Sequence, residues 1–273
     1  MDRTPSGPGI KFQTTAILGT YFGASAQKGK LLAGSARKKN LGKEGEFMNF
    51  HPEVLGANQK KILRHLGPLT NHLGFYLGGG TALAIHLGHR HSVDLDWFSK
   101  ESIPDPMRLA QDIRDAGISL ATDRIDGGTL HGRISGVRVS FLEYRYPLLE
   151  PSIIWPQFGC RIASMADLSC MKFSALSQRG SKKDFIDVYA LGLKYNSLPS
   201  MLRLYRKKFS IRDIAHVLYA LSFFDDADRE QMPRMLCPAS WRTIKKTIHE
   251  WVREVVKENK LKFATEGTEI TEF

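Results

Sequence analysis

The chain holds little cysteine. Its three residues, Cys160, Cys170 and Cys237, are scattered and form no Cys-x-x-Cys pair. Such a set suits neither a disulfide framework nor a zinc site and fits a reducing cytosol, so a cytoplasmic protein is expected. No apolar run approaches the roughly 18 residues needed to span a bilayer, so no membrane role is expected. The one apolar patch near the N-terminus, Ala16 to Leu18, is too short for a signal-peptide core. The glycines at 78–80 lack the Lys-Ser/Thr ending of a P-loop, and the strand order after them does not suit a dinucleotide-binding fingerprint. No internal repeat is visible.

What is present is an ordinary globular composition, 42% hydrophobic, with a formal net charge of +11. That charge points to a polyanionic partner or substrate. Residues 1–47 contribute +5 of it, through eight Lys or Arg against three acidic residues. The remainder is moderately basic, unlike a dedicated nucleic-acid coat. Residues 1–47 lack periodicity and are rich in Gly, Ser and Lys, so a disordered tail is expected. Helical patterning begins just after Met48. Either translation naturally starts at Met48, or the upstream stretch is a basic arm that contacts nucleic acid; deleting residues 1–47 without loss of activity favours the first.

The most informative stretch is 76–98. A short strand (Phe75 to Leu77) runs into Gly78, Gly79, Gly80 and Thr81. A short helix follows, then a strand carrying Asp94 and Asp96. Alternate strand residues share a face, so the two carboxylates point one way while Val93, Leu95 and Trp97 point the other. Paired carboxylates repel unless a cation lies between them, and hard oxygen ligands suit Mg²⁺ bridged to phosphates. Glycines allow close backbone approach and leave N–H groups free for an anion at a helix start. Either half alone is weak evidence; together, with Thr81 and Asp94 thirteen residues apart, they indicate a nucleotide-phosphate site.

Around this stretch the spacing predicts a helix over 53–72 and another over 107–116 that stops at Gly117. Three strands are predicted at 118–122, 130–134 and 137–144, joined by Asp126-Gly127-Gly128 and Ser135-Gly136 turns. The expected fold is α+β, with a mixed or antiparallel sheet of about five strands over 48–163. A helical domain is expected over 164–263, with helices at 164–178 (capped by Ser164, with Asp167 suiting the dipole), 184–194, 210–223 and 241–257. A frayed tail is expected over 264–273.

The glycine turn and Asp-x-Asp strand have the layout of the polymerase-β-type nucleotidyltransferase core. Within that superfamily the chain resembles the AbiEii/AbiGii toxin family. The likeness is carried by Gly79-Gly80-Thr81-Ala82-Leu83 and Arg90-His91-Ser92-Val93-Asp94-Leu95-Asp96-Trp97-Phe98. A second block, Ala163 to Leu168 through Lys172, Arg179-Gly180 and Lys183-Asp184-Phe185-Ile186-Asp187, looks like the family's later signature.

The resemblance implies an enzyme that moves a nucleoside monophosphate from an NTP to an RNA (including tRNA) or protein hydroxyl, countered by a cognate antitoxin. Asp94 and Asp96 would hold Mg²⁺, with Mn²⁺ as a substitute. Gly79, Gly80 and Thr81 would grip the phosphates, Thr81 also through its hydroxyl. Lys172 would supply a point charge. Asp184 is taken with the catalytic set; Arg90 and Asp187 are taken as nucleotide-binding residues. Asp184 and Asp187 share a helical face and could orient Lys172 or Arg179. The superfamily usually adds a third metal carboxylate on a neighbouring strand. In 137–144 the acidic residue is Glu143, which either fills that role or sits at the strand's solvent end. Without a third carboxylate, a non-catalytic nucleotide- or partner-binding module is the alternative; plain RNA binding through the basic face is a third. His86, His89 and His91 read as solvated or site-lining, and Phe223, Phe224, Trp241 and Trp251 as core.

Overall fold

A computed structural model describes the backbone over residues 49–266 and the side chains over 49–258. The expectations for the basic tail and the Met48 start lie outside the described residues. The expected first helix divides in two. A 3₁₀ turn (Pro52–Val54) precedes α1 (Ala57–His72), because Leu55 and Gly56 are extended. The Gly56 N–H donates to the Gln59 side-chain oxygen at 2.9 Å, which closes the first turn of α1. Ile62, Leu63 and Leu66 of its apolar stripe are buried.

There follow β1 (Tyr76–Leu77), α2 (Gly79–Leu87), β2 (Leu95–Ser99) and α3 (Pro106–Asp115). Asp105 caps α3 by accepting from the Arg108 N–H at 3.0 Å, and Pro106 occupies a first-turn position where no donor is needed. The hairpin strands are β3 (Leu120–Asp126), β4 (Thr129–Ile134) and β5 (Val137–Glu143). Two further strands, β6 (Ile153–Trp155) and β7 (Cys160–Ile162), extend the sheet to seven, in the order β3-β4-β5-β2-β1-β7-β6. The β2/β5 and β1/β7 pairs are parallel and the rest antiparallel, so the sheet is mixed, as expected for this α+β class.

Sheet register sets up the site. In β2, Leu95, Trp97 and Ser99 are buried in the core while Asp96 and Phe98 take the opposite face. Asp96 lies opposite Ser140 of β5, and Ser140 opposite His131 of β4. Val93 precedes the strand and is 66% exposed, not turned to the core as strand alternation suggested.

The chain beyond β7 is helical: α4 (Met165–Arg179), α5 (Lys182–Lys194), α6 (Leu198–Phe209), α7 (Ala215–Ser222), α8 (Asp225–Arg229) and α9 (Trp241–Glu266). The single helix expected over 210–223 begins only at Ala215, because Ser210 takes the left-handed conformation that ends α6. Helix α9 continues to Glu266, past the expected fraying point. Ser164 caps α4 as expected, accepting from the Asp167 N–H. Asp167 lies in the first turn as expected. It is fully buried and bound by Lys208 Nζ at 2.6 Å and the Ser164 hydroxyl at 2.8 Å. Phe223 is 43% exposed, against the core role expected of it. Helix α2 packs on both α4 and α5, which brings the second sequence block against the first.

Candidate active site

The site is built where α2 starts. Gly79 has φ +64°, and a Cβ there would lie 2.8 Å from Asp96 Oδ2, so a side chain at this position would collide with the carboxylate as well as strain the backbone. No side chain caps the N-terminus of α2, which leaves its first N–H groups for another partner. A cleft of ≈ 450 Å³ opens beside this end, lined by Gly80, Asp94, Asp96, Arg90, Lys172, Arg179 and Lys183 among others. The structure therefore gathers residues from both sequence blocks, separated by more than 70 positions, around one cavity.

The two carboxylates differ. Asp94 is half-exposed and ion-paired with Arg138, whose Nε lies 2.9 Å from Oδ1. Asp96 is more enclosed; burial, with Asp94 beside it, pushes its carboxyl above the usual range, partly opposed by a hydrogen bond from Ser140. The Ser140 hydroxyl lies 3.2 Å from His131 Nδ1 on the neighbouring strand.

Behind the opposite wall sits a buried charge cluster. Asp187 is fully buried and takes Arg90 in two-pronged fashion (2.7 and 2.8 Å), Lys172 Nζ at 2.6 Å and His89 Nε2 at 2.7 Å. Burial alone would raise its carboxyl, but Arg90 and Lys172 hold it well below the usual range. Asp184 is likewise buried and lowered, burial being outweighed by the Arg179 guanidinium (2.7 and 2.9 Å), with Lys172 Nζ at 3.2 Å and the Ser181 hydroxyl at 2.7 Å. Burial pushes His89 down, so it is neutral and donates through Nε2; its Nδ1 is buried with no partner among the described residues. Three cations thus stand over two carboxylates, leaving one net positive charge at the cleft wall.

This geometry revises several expected roles. Asp184 and Asp187 are buried with their oxygens engaged by Lys172, Arg179 and Arg90, the arrangement that the shared helical face had offered. The Thr81 hydroxyl is buried, hydrogen-bonded to the Asp94 carbonyl and 2.7 Å from the Ser92 hydroxyl, so it braces the Asp-x-Asp segment instead of gripping phosphate. Glu143 is turned away from Asp96. It pairs with Ser99 in register, three residues along β5 from Ser140 and so on the other face. There it accepts from the Ile103 N–H and pairs with Arg145. His86 and His91 bond the carbonyls of Ala163 and Val54.

Some lining residues escaped sequence reasoning. Arg138 lies on β5, where only the acidic residue had been sought. Lys183 was read as part of a motif without a role. Pro233 and Arg234 come from the α8–α9 connection, which crosses the site by hydrogen bonds from the His91 N–H to the Arg234 carbonyl and from the Leu236 and Cys237 N–H groups to the His89 carbonyl. Among the described residues, neither Lys183 nor Arg234 forms an ion pair.

Asp94 and Asp96 are the acidic groups that face the cleft, and among the described residues no three His, Cys, Asp or Glu side chains converge as a metal cage. Two adjacent hard carboxylates, one with a raised carboxyl, fit a cation shared with substrate phosphates, the way Mg²⁺ is usually bound.

A mixed sheet that sets a glycine turn beside paired carboxylates places the chain among the nucleotidyltransferases, enzymes of the transferase class. The family comparison agrees. Residues 61–149 match the family model "Nucleotidyl transferase AbiEii toxin, Type IV TA system", and the chain belongs to that family. The later block, from Ala163 onward, lies outside the matched residues. An uncharacterised protein of Aquifex aeolicus strain VF5 is 36% identical over 209 residues, covering 74% of this chain and 98% of that protein. Among solved structures, MenT4, a nucleotidyltransferase toxin of Mycobacterium tuberculosis H37Rv, is 18% identical with a TM-score of 0.43, covering 71% of this chain and 81% of that one. JHP933 from Helicobacter pylori is 16% identical with a TM-score of 0.39, covering 81% and 97%.

Proposed function

We propose that the cleft transfers a nucleoside monophosphate from an NTP to an RNA hydroxyl, with a tRNA end among the candidate acceptors. The observation that carries this is that one cavity gathers the Asp94/Asp96 pair, the α2 N-terminus, Lys172, Lys183 and Arg234. Asp94 and Asp96 would hold Mg²⁺ (or Mn²⁺), which when bound supplies charge neutralisation at the reacting phosphate. The N–H groups of Gly79 and Gly80, with the positive wall, bind and orient the triphosphate. Lys183 and Arg234 carry the charge that sequence reasoning gave to Lys172, because Lys172 is held by Asp184 and Asp187. The acceptor oxygen forms a bond to the α-phosphorus, the bond to the bridging oxygen breaks, and pyrophosphate leaves; the hydroxyl proton passes to solvent. Such transfer depends on positioning and electrostatics more than on proton transfer, so it needs no third side-chain base.

The family's toxin–antitoxin description supports a cognate antitoxin as partner. The protein would act in the cytosol: burial pushes the Cys160 and Cys170 thiols up to about 12, which suits inert reduced core residues.

One observation favours a second reading. Ser140, not a carboxylate, faces Asp96 across the neighbouring strand, as expected of a non-catalytic nucleotide-binding module. Incubation with each α-³²P-labelled NTP, Mg²⁺ and total RNA separates the two. Labelled RNA supports transfer; Mg²⁺-dependent NTP binding with no labelled acceptor in a whole lysate supports the module.

A further inference from the structure

The catalytic cleft does not end at Asp94. Val93, Asp94 and Arg138 form a ridge, and all three line a second cleft of ≈ 520 Å³ on its far side. Residues 56–59 at the start of α1 wall this cleft, together with Arg133, Gly136 and Val137 around the β4–β5 turn.

Cations outnumber acids in the second cleft. Among the described residues Asp94 is its one acidic lining residue, and Arg133 and Arg138 are its cations. Each guanidinium is engaged by one carboxylate, Arg133 by Asp123 at 3.0 Å and Arg138 by Asp94 at 2.9 Å. A guanidinium carries five N–H donors, so both retain donors for an anion. Helix α1 is 16 residues long and presents its N-terminal end here. Gln59 adds an independent sign of a missing partner. It lines the cleft and is only 4% exposed; its side-chain oxygen accepts from the Gly56 N–H, yet among the described residues its Nε2 has no partner. Buried donors without acceptors are rare. On the ridge, the exposed apolar Val93 offers a contact for a sugar or base face.

We infer that this second cleft is the acceptor subsite and takes the phosphodiester chain of a single-stranded RNA end, a reading that rests on the nucleotidyl-transfer proposal above. The triphosphate is drawn to the α2 side of Asp94 by Lys183, Arg234 and the helix start. An in-line attack brings the acceptor hydroxyl from the side away from the leaving pyrophosphate. The second cleft is the one that meets Asp94 from that side. A third cleft, beside Tyr219 and Phe223, shares Arg179 with the site but reaches neither carboxylate. A peptide acceptor would bring a neutral backbone to a cleft built from arginines, amides and a helix N-terminus. RNA brings a phosphate at every residue.

The test measures binding, not turnover. A short fluorescein-labelled single-stranded RNA is titrated with the full-length protein and followed by anisotropy, without NTP, at several salt concentrations. Arg133→Gln, at a side chain 54% exposed, and Gln59→Leu each weaken RNA binding, Arg133→Gln by about tenfold. Arg133→Gln also flattens the slope of log K against log salt by about 0.7, the loss of one phosphate contact on a single strand. Both variants bind a fluorescent NTP with Mg²⁺ as the wild type does. Asp96→Asn, in contrast, loses NTP binding and keeps RNA binding, so failure of the nucleotide site and failure of the acceptor site are read separately. The inference is overturned if both variants bind RNA like the wild type, or if wild-type protein binds no RNA and labels a protein instead.

Discussion

Asp187 sits under the cleft wall and touches no open space, yet four donor atoms from two side-chain cations and a neutral histidine depend on it. Asp187→Asn keeps its volume and removes its charge. Arg90 and Lys172, each 4% exposed at the side chain, then face an amide with one acceptor oxygen and a competing N–H₂ group. Breaking one partner of a buried ion pair costs about 3–5 kcal/mol, because the remaining charges stay desolvated and uncompensated. A chain of this size loses about 2–4 °C in Tm per kcal/mol, so a drop on the order of 10 °C is expected. Urea unfolding should show a lowered midpoint at unchanged slope. NTP binding should weaken in the same variant, since Lys172 and Arg90 lose their fixed positions at the wall. The reasoning is refuted if stability changes by less than about 1 kcal/mol while transfer is abolished; Asp187 would then act at the reacting atoms and not through its partners.

Stability should also depend on acid. Asp184 and Asp187 have folded-state carboxyls below their ordinary value of 3.8; their contribution is present above that pH and is lost as pH falls below it, which urea midpoints measured down that range should show, with a shallower fall in Asp187→Asn. Asp96 has the opposite sign. Its raised carboxyl costs stability at neutral pH, so Asp96→Asn should raise the urea midpoint while abolishing transfer, and a lowered midpoint would contradict that assignment. Glu143→Gln should leave NTP labelling and its Mg²⁺ dependence within twofold of wild type, a factor of about 0.4 kcal/mol; a collapse of activity would restore Glu143 to the metal site.

Much of the fold was legible because its signals are local. The Asp126-Gly127-Gly128 and Ser135-Gly136 turns announce the β3–β4–β5 meander, and Ser164 announces the start of α4. Strands β6 and β7 were not legible: each has three residues, too few to show alternation, and they exist because they pair with each other and with Leu77. The paired aspartates and glycines could be read because strand period and backbone freedom act within a few residues. Which carboxylates face substrate could not. Asp94 and Asp96 on one hand, and Asp184 and Asp187 on the other, look alike as sequence. They separate only when α2 packs against α4 and α5 and three cations close over the second pair. Glu143 misled because acidity was sought along β5 without its register. The parity that sets Ser140 beside Asp96 turns Glu143 away. Arg234 comes from an irregular connection whose place over the site is fixed by backbone bonds to residues 89 and 91, and no periodicity marks it.

The central claim is that Asp94 and Asp96 hold the reacting nucleotide. The direct measurement is transfer of label from α-³²P-NTP to total RNA with Mg²⁺, comparing the wild type with Asp94→Ala and Asp96→Ala, both checked for folding by urea unfolding. Labelled RNA with the wild type and none above background with either folded variant is the expected result. Undiminished labelling by both variants would contradict it.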